Sequence, residues 1–199
     1  MKPKKHQHFK IYKPYGMLSQ FSSNAVKEQR KRFLGELGEF TSGTMPIGRL
    51  DEKSEGLLLL TTDGKLSDFV NQSGIEKEYY ALVDGDISAK AIQQLCDGVE
   101  IGFDGKKYQT KPCKVFKLKQ DPVLPERSKK IRDARHGPTT WISVTLTEGK
   151  FRQVRKMTSA VGCPTLRLVR VRVGDIYLDT MQVGEVIPEH NLNDYFNNL

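Results

Sequence analysis

The stretch MPIGRLDEKSEGLLLLTTDG, Met45–Gly64, runs an acid-containing loop straight into four consecutive leucines. Leu57 to Leu60, closed by Thr61, Thr62 and the turn pair Asp63-Gly64, form a short apolar run suited to a strand buried on both faces. Such a strand is a rigid mount. Gly48 and Gly56 bracket Arg49, Asp51, Glu52, Lys53, Ser54 and Glu55, so a polar loop is held at one end of a fixed strand. Asp51 is the candidate catalytic residue. Taken alone, the loop reads as a charged surface turn in which Asp51 or Ser54 caps backbone amides, the commoner use of these residues.

The chain has 199 residues, which suits one domain or two tightly joined halves with a sizeable core. Hydrophobic residues make up 37% and charged residues 28%, and no apolar run approaches the length of a membrane span. The formal net charge of +8 favours a polyanionic partner, of which nucleic acid is the commonest. The opening MKPKKHQHFK is basic but lacks the apolar core of a secretory signal, so residues 1–8 read as a flexible arm and the protein as cytoplasmic. Cys96, Cys113 and Cys163 are widely spaced, as expected of small buried residues rather than a disulfide framework. His6, His8, His136 and His190 have no metal-ligand spacing, and no metal or cofactor is expected.

Several elements flank the central stretch. HFKIYK alternates as a first strand ending at Pro14-Tyr15-Gly16, where Lys13 either reaches a phosphate or stays solvated. Residues 24 to 38 read as an amphipathic helix, with Val26, Phe33, Leu34 and Leu37 on one side and Lys27, Arg30 and Lys31 on the other. Asp63 caps a short helix, and EYYALV returns as a strand with Tyr79, Ala81 and Val83 on one face. A helix from Ser88 stops at Gly98, a hairpin turns on Asp104-Gly105, and CKVFKL adds a strand; these elements extend the sheet and cover it.

Residues 119 to 140 lack periodicity, and Pro122, Pro125 and Pro138 surround Lys129, Lys130, Arg132 and Arg135. This basic loop reads as mobile, and equally as an RNA-backbone contact or a solvated segment. In EGKFRQVRKMTSAVGCPTLRLVRVRVG, Glu148–Gly174, a helix carries Phe151, Val154, Met157 and Val161 on its apolar side and Arg152, Arg155 and Lys156 on another. A last strand follows, in which Arg170 and Arg172 suit phosphate contacts or serve as solubility devices near an edge. The end, NLNDYFNNL, reads as polar fraying.

GRLDEKSEGLLLLTTDG closely resembles the GRLDxxSEGLLLLTNDG signature of the RsuA/RluE branch of RNA pseudouridine synthases. KPYGMLSQF is similar to that family's KPxGxxSQ motif, Lys77, Tyr79 and Val83 to KxYxxxV, and EGKFRQVRKM to EGxxRQVRRM. The resemblance runs from about Phe9 to Gly184. It implies an α+β pseudouridine synthase fold, a mixed and mainly antiparallel central sheet with flanking helices, over residues 9–188, with 189–199 as a tail. Asp51 is then catalytic, Arg155 pairs with it, Tyr79 packs against the target base and Leu168 lies beside the active site. Arg49, Lys13, Arg152, Lys156 and Arg170 are the candidate substrate contacts.

The KPYG motif begins at Lys13, leaving no room for an N-terminal S4 module, and with PTTW at 138–141 this points to the RluE type, a monomer acting on large-subunit ribosomal RNA. A carboxylate held ionised by an arginine is a competent nucleophile or base at neutral pH, and the target uridine must leave its stack to be reached. Two rivals stay open: a hydrolytic nucleoside enzyme using Asp51 and Glu55 as a carboxylate pair, and a non-catalytic RNA-binding protein on the same fold.

Overall fold

A computed structural model describes residues 5–190 and 192–196. In chain order the strands are β1 (His8–Lys13), β2 (Met45–Pro46), β3 (Glu55–Thr61), β4 (Lys77–Asp84), β5 (Glu100–Phe103), β6 (Lys106–Gln109), β7 (Lys114–Lys117), β8 (Thr139–Leu146), β9 (Thr165–Val173), β10 (Ile176–Tyr177) and β11 (Val186–Pro188). The helices are α1 (Gly64–Gln72), α2 (Ala89–Asp97) and α3 (Gln153–Ala160). The chain divides into two compact units, Met1–Ile75 with Arg170–Leu199, and Glu76–Val169.

In the first unit the strand order is β11-β1-β3, antiparallel throughout, with Ile11 opposite Leu58 and Phe9 opposite Leu60. β2 also joins β3, through Met45 and Thr61. All seven residues of β3 are buried, so the leucine run is covered on both faces as its composition requires. The Asp63 carboxylate accepts hydrogen bonds from the Lys65 and Leu66 amides at 2.9 and 3.3 Å and opens α1. Leu58 has no exposed surface, so Leu58→Ala should lower unfolding free energy by ~2–5 kcal/mol in urea denaturation. Val26 is 81% exposed, and Val26→Ala in the same assay should stay within ~0.5 kcal/mol of wild type.

Three expectations in this unit need correction. Residues 24 to 38 form no α-helix; 3-10 turns at Val26–Glu28 and Leu34–Leu37 are separated by a turn over 29–31 and an isolated bridge at Arg32. The periodic pattern has a gap of charged residues between Val26 and Phe33, and the backbone is captured instead by the preceding loop, with Leu18 N donating to Arg32 O and Leu34 N to Gln20 O. The basic arm is structured from its end inward: His8 starts β1 and shares a 2.8 Å hydrogen bond with Thr61 Oγ1, and Gln7 N donates to Thr62 Oγ1. Residues 1–4 of that arm lie outside the described residues. In the tail, Leu192 and Phe196 are buried, and a Cβ on Gly174 (φ +56) would lie 3.2 Å from the Phe196 ring. Over 192–196 apolar anchors thus replace the fraying expected of a polar terminus; residues 191 and 197–199 of that tail lie outside the described residues.

In the second unit the order is β4-β8-β7, again antiparallel, with Tyr79 opposite Val144 and Val115 opposite Val144 on the other side. Its core gathers Val83, Leu95, Ile142, Val144, Met157 and Leu168. Ser88 caps α2 through the Ala91 amide. Gly98 ends that helix at φ +97, where a Cβ would collide with the Thr110 carbonyl oxygen. The hairpin of β5 and β6 turns on Asp104 and Gly105, both at positive φ, as a two-residue turn between twisted strands demands. Contrary to expectation this hairpin does not extend the larger sheet. Thr110 N donates to Val99 O and Cys113 N to Cys96 O, folding the chain back over the end of α2 so that β5 and β6 pair only with each other.

The basic loop is tied back to its surroundings by arginines. Arg127 donates to the carbonyls of Lys129 and Leu166, Arg167 to Pro125 O, and Arg132 to Gly137 O, Pro138 O and the Asp84 carboxylate. Its periodicity is absent because arginines, not apolar residues, supply the tethers. The α+β class with a mainly antiparallel sheet and flanking helices is the one expected from sequence.

Candidate active site

The loop ahead of β3 is built around two glycines in the left-handed region, Gly48 at φ +68 and Gly56 at φ +100. At Gly48 a Cβ would also approach Asn71 Oδ1 to 2.9 Å. Between them, the residues on either side of Asp51 are tied to the KPYGMLSQF segment. Ser19 Oγ donates to Leu50 O at 2.7 Å and accepts from Leu50 N at 3.0 Å, while Gly16 N donates to Glu52 O at 2.8 Å. Lys31 Nζ adds an ion pair to Glu52 at 2.7 Å. Ser54 N closes a turn onto Asp51 O. Asp51 itself is half-buried, so its carboxylate sits on a backbone fixed from both directions while part of its surface stays open. Arg49 is exposed.

Beneath this loop lie three buried ionisable groups. Lys13 is fully buried and its ammonium donates to Pro14 O at 2.8 Å and Met17 O at 2.6 Å. Burial pushes its pKa down to about 7, against the opposing pull of Glu55, Asp51 and Glu52, in that order. Glu55 is 1% exposed. Arg170 is also buried, and its Nε donates to Leu57 O at 2.8 Å. Glu55 is therefore too enclosed to form, with Asp51, the open carboxylate pair that a hydrolytic nucleoside enzyme would require.

The second unit carries the other candidates. Tyr79 is half-buried on β4 against that unit's core, and Leu168 is buried within the core. Arg155, on α3, donates from Nη1 to Thr165 O at 3.2 Å. Arg152 precedes α3 in the left-handed region, φ 55 and ψ 33, and is exposed. Lys156 Nζ donates to Gly102 O at 2.7 Å. The start of α3 is organised by Glu148, which accepts from Tyr108 Oη at 2.6 Å, Lys111 N at 2.9 Å and Gln153 Nε2. Burial raises the Glu148 pKa, but these hydrogen bonds outweigh it and hold the carboxyl below its ordinary value. Among the described residues no group of three or more His, Cys, Asp or Glu side chains is placed to hold a metal ion.

The RNA pseudouridylate synthase family matches residues 7–160, well over half of the chain. The chain belongs to that family. Ribosomal large subunit pseudouridine synthase E of Xanthomonas campestris pv. campestris is 43% identical over 177 residues, covering 88% of this chain and 91% of that protein. The protein of the same description from Xanthomonas axonopodis pv. citri is 42% identical over 185 residues, covering 92% and 94%. A solved structure described as a crystal structure of pseudouridylate synthase has a TM-score of 0.73 over 95% of this chain and 72% of its own, at 24% identity, which shows a shared fold.

For a pseudouridine synthase of the RsuA/RluE type, two of the expected substrate contacts need correction. Lys13 is neither solvated nor open to a phosphate, because its ammonium is spent on two backbone carbonyls inside the first unit. Arg170 is not an edge residue; its guanidinium is buried against the backbone of β3. Phe151, expected on the apolar side of α3, is 67% exposed because the helix begins only at Gln153. Sequence reasoning also missed Ser19 and Glu148, the synthase's anchors for the Asp51 loop and for the start of α3. The SQ of KPYGMLSQF and the EG of EGKFRQVRKM were the signals that marked them.

Proposed function

We propose that this synthase isomerises a uridine of large-subunit ribosomal RNA, with Asp51 as the nucleophile or base. The observation that carries the assignment of Asp51 is its place on a backbone tethered at Leu50 and Glu52 and mounted on the buried strand β3. Such fixation serves catalysis by holding a reactive group in position without further ordering. The choice of large-subunit RNA follows the two Xanthomonas relatives, whose likeness spans about nine tenths of both proteins in each pair.

The reaction breaks the bond from N1 to C1′ and forms one from C5 to C1′; C5 loses a proton and N1 gains one. No electron leaves or enters, so no redox partner is needed. Attack by Asp51 on C6, attack on C1′ and removal of the C2′ proton all use the same ionised carboxylate. Arg155 is assigned as its cationic partner on the EGKFRQVRKM motif, Tyr79 as the ring that stacks on the flipped-out uracil, and Leu168 as part of the apolar wall that keeps water from the detached base. Arg49, Arg152 and Lys156 contact RNA phosphates. Among the described residues no helix is long and apolar enough to cross a membrane. We place the enzyme in the cytoplasm, where ribosomal RNA is available, as a monomer.

Large-subunit RNA incubated with the protein, then digested to nucleosides, should show pseudouridine rising as uridine falls by the same amount, with no free uracil. Free uracil would instead establish hydrolysis, and unchanged nucleosides with retained RNA affinity would establish a binding protein.

A further inference from the structure

Beside α3 the second unit has a groove of about 430 Å³ lined by Phe151, Arg152, Arg155, Lys156, Ser159 and Thr165 together with Pro164. Three of its side chains are cationic and none is a carboxylate. The volume lies within the roughly 300–1,000 Å³ of ordinary ligand sites. Phe151 is 67% exposed, although a ring of that size normally contributes to a core. Its position follows from the backbone: Arg152 takes a left-handed conformation at φ 55, so α3 starts one residue later and the Phe151 ring stands off the helix. Lys156 Nζ lies 5.4 Å from the centre of the Phe151 ring, and its bond to Gly102 O holds the ammonium there.

We propose that Phe151 is a stacking platform for an unpaired RNA base, and that the cations around it hold the adjoining phosphates; that the ligand is RNA rests on the function proposed above. An exposed aromatic ring alone would suit any apolar partner. Set among three cations without a carboxylate, it suits a ligand that alternates flat apolar faces with negative charge, and single-stranded RNA is such a polymer. Stacking reads a base face rather than its edges, so the platform contributes grip with weak sequence preference.

The test compares wild type, Phe151→Ala and Phe151→Trp for binding of a short fluorescein-labelled single-stranded oligoribonucleotide and of an abasic ribose-phosphate oligomer of equal length. At fixed salt, Phe151→Ala should bind the oligoribonucleotide at least about fivefold more weakly, Phe151→Trp should match wild type, and the abasic oligomer should not distinguish the three. The salt dependence should be the same in all three, because the cations remain. The emission of Phe151→Trp, corrected for the native Trp141, should be quenched by the oligoribonucleotide and not by the abasic oligomer. Equal RNA binding by wild type and Phe151→Ala, or an equal loss for the abasic oligomer, would overturn the proposal. Thermal melting of each variant should match wild type, since the ring is exposed. These readouts need no turnover. A protein that stacks RNA on Phe151 yet forms no pseudouridine would refute the proposed function alone, whereas one that forms pseudouridine while Phe151→Ala binds normally would refute the platform alone.

Discussion

Asp51→Asn is expected to slow pseudouridine formation by at least about 10³-fold while leaving RNA affinity and melting temperature at their wild-type values. The substitution keeps the shape of the side chain and removes its charge and basicity. The tethers that hold the loop are made by neighbours: Ser19 binds both the carbonyl and the amide of Leu50, and Gly16 binds the carbonyl of Glu52. These tethers belong to neighbouring residues and remain in the variant. Single-turnover rates with saturating RNA, measured beside a filter-binding isotherm, separate the two effects. A loss of RNA affinity matching the loss of rate would show instead that Asp51 acts in binding.

The second large effect concerns Lys13 and the dependence of stability on pH. Its pKa in the folded protein is about 7, against 10.5 for an ordinary lysine, because burial disfavours the ammonium. Between those values the unfolded chain carries a proton that the folded protein does not, so stability rises with pH across that window and is flat below it. Lys13→Met has no such proton. The unfolding free energy of wild type minus that of Lys13→Met should therefore climb from pH 7 toward pH 10, with a limiting slope of roughly 1.4 kcal/mol per pH unit. Cys113, which burial pushes up to about 12, contributes the opposite trend above the ordinary thiol range, but it does so in both proteins and cancels in the difference. Parallel stability profiles for the two proteins over this range would show that Lys13 does not release its proton on folding. A buried ammonium with two carbonyl partners also gives KPYGMLSQF a physical role: it stiffens the segment whose Gly16 and Ser19 hold the Asp51 loop.

Where local chemistry decides, the sequence was a good guide. The leucine run had to be a doubly covered strand, Asp63 and Ser88 stood where helix caps belong, and Asp104-Gly105 could only be a tight turn. Where tertiary contacts overrode local pattern, it was not. Residues 24 to 38 looked helical, yet the backbone at Arg32 and Leu34 pairs with Leu18 and Gln20, distant partners that no period within the segment reveals. Arg170 alternates with valines as an exposed charge would, and Lys13 looked like the solvated end of its strand, but both are buried, and only three-dimensional neighbours make a buried cation tolerable. Phe151 failed for the opposite reason. Helical periodicity placed it in the core, while the left-handed turn at Arg152 starts α3 late and leaves the ring outside. In the candidate site, the glycine-bracketed loop ahead of β3 was legible because its signals are contiguous, whereas the role given to Asp51 came from the family resemblance. The hydrogen bonds of Ser19 and Glu148 were not legible, since each reaches a partner more than thirty residues away.

If Asp51 drives isomerisation of a ribosomal uridine, loss of the C5 hydrogen reports it directly. Large-subunit RNA carrying tritium at uridine C5 would be incubated, as free RNA and as precursor particle, with wild type and with Asp51→Asn. Wild type should release tritium to water, approaching one equivalent per RNA without free uracil, and the variant should release none. No release by wild type from either substrate, or equal release by Asp51→Asn, would contradict the proposed function.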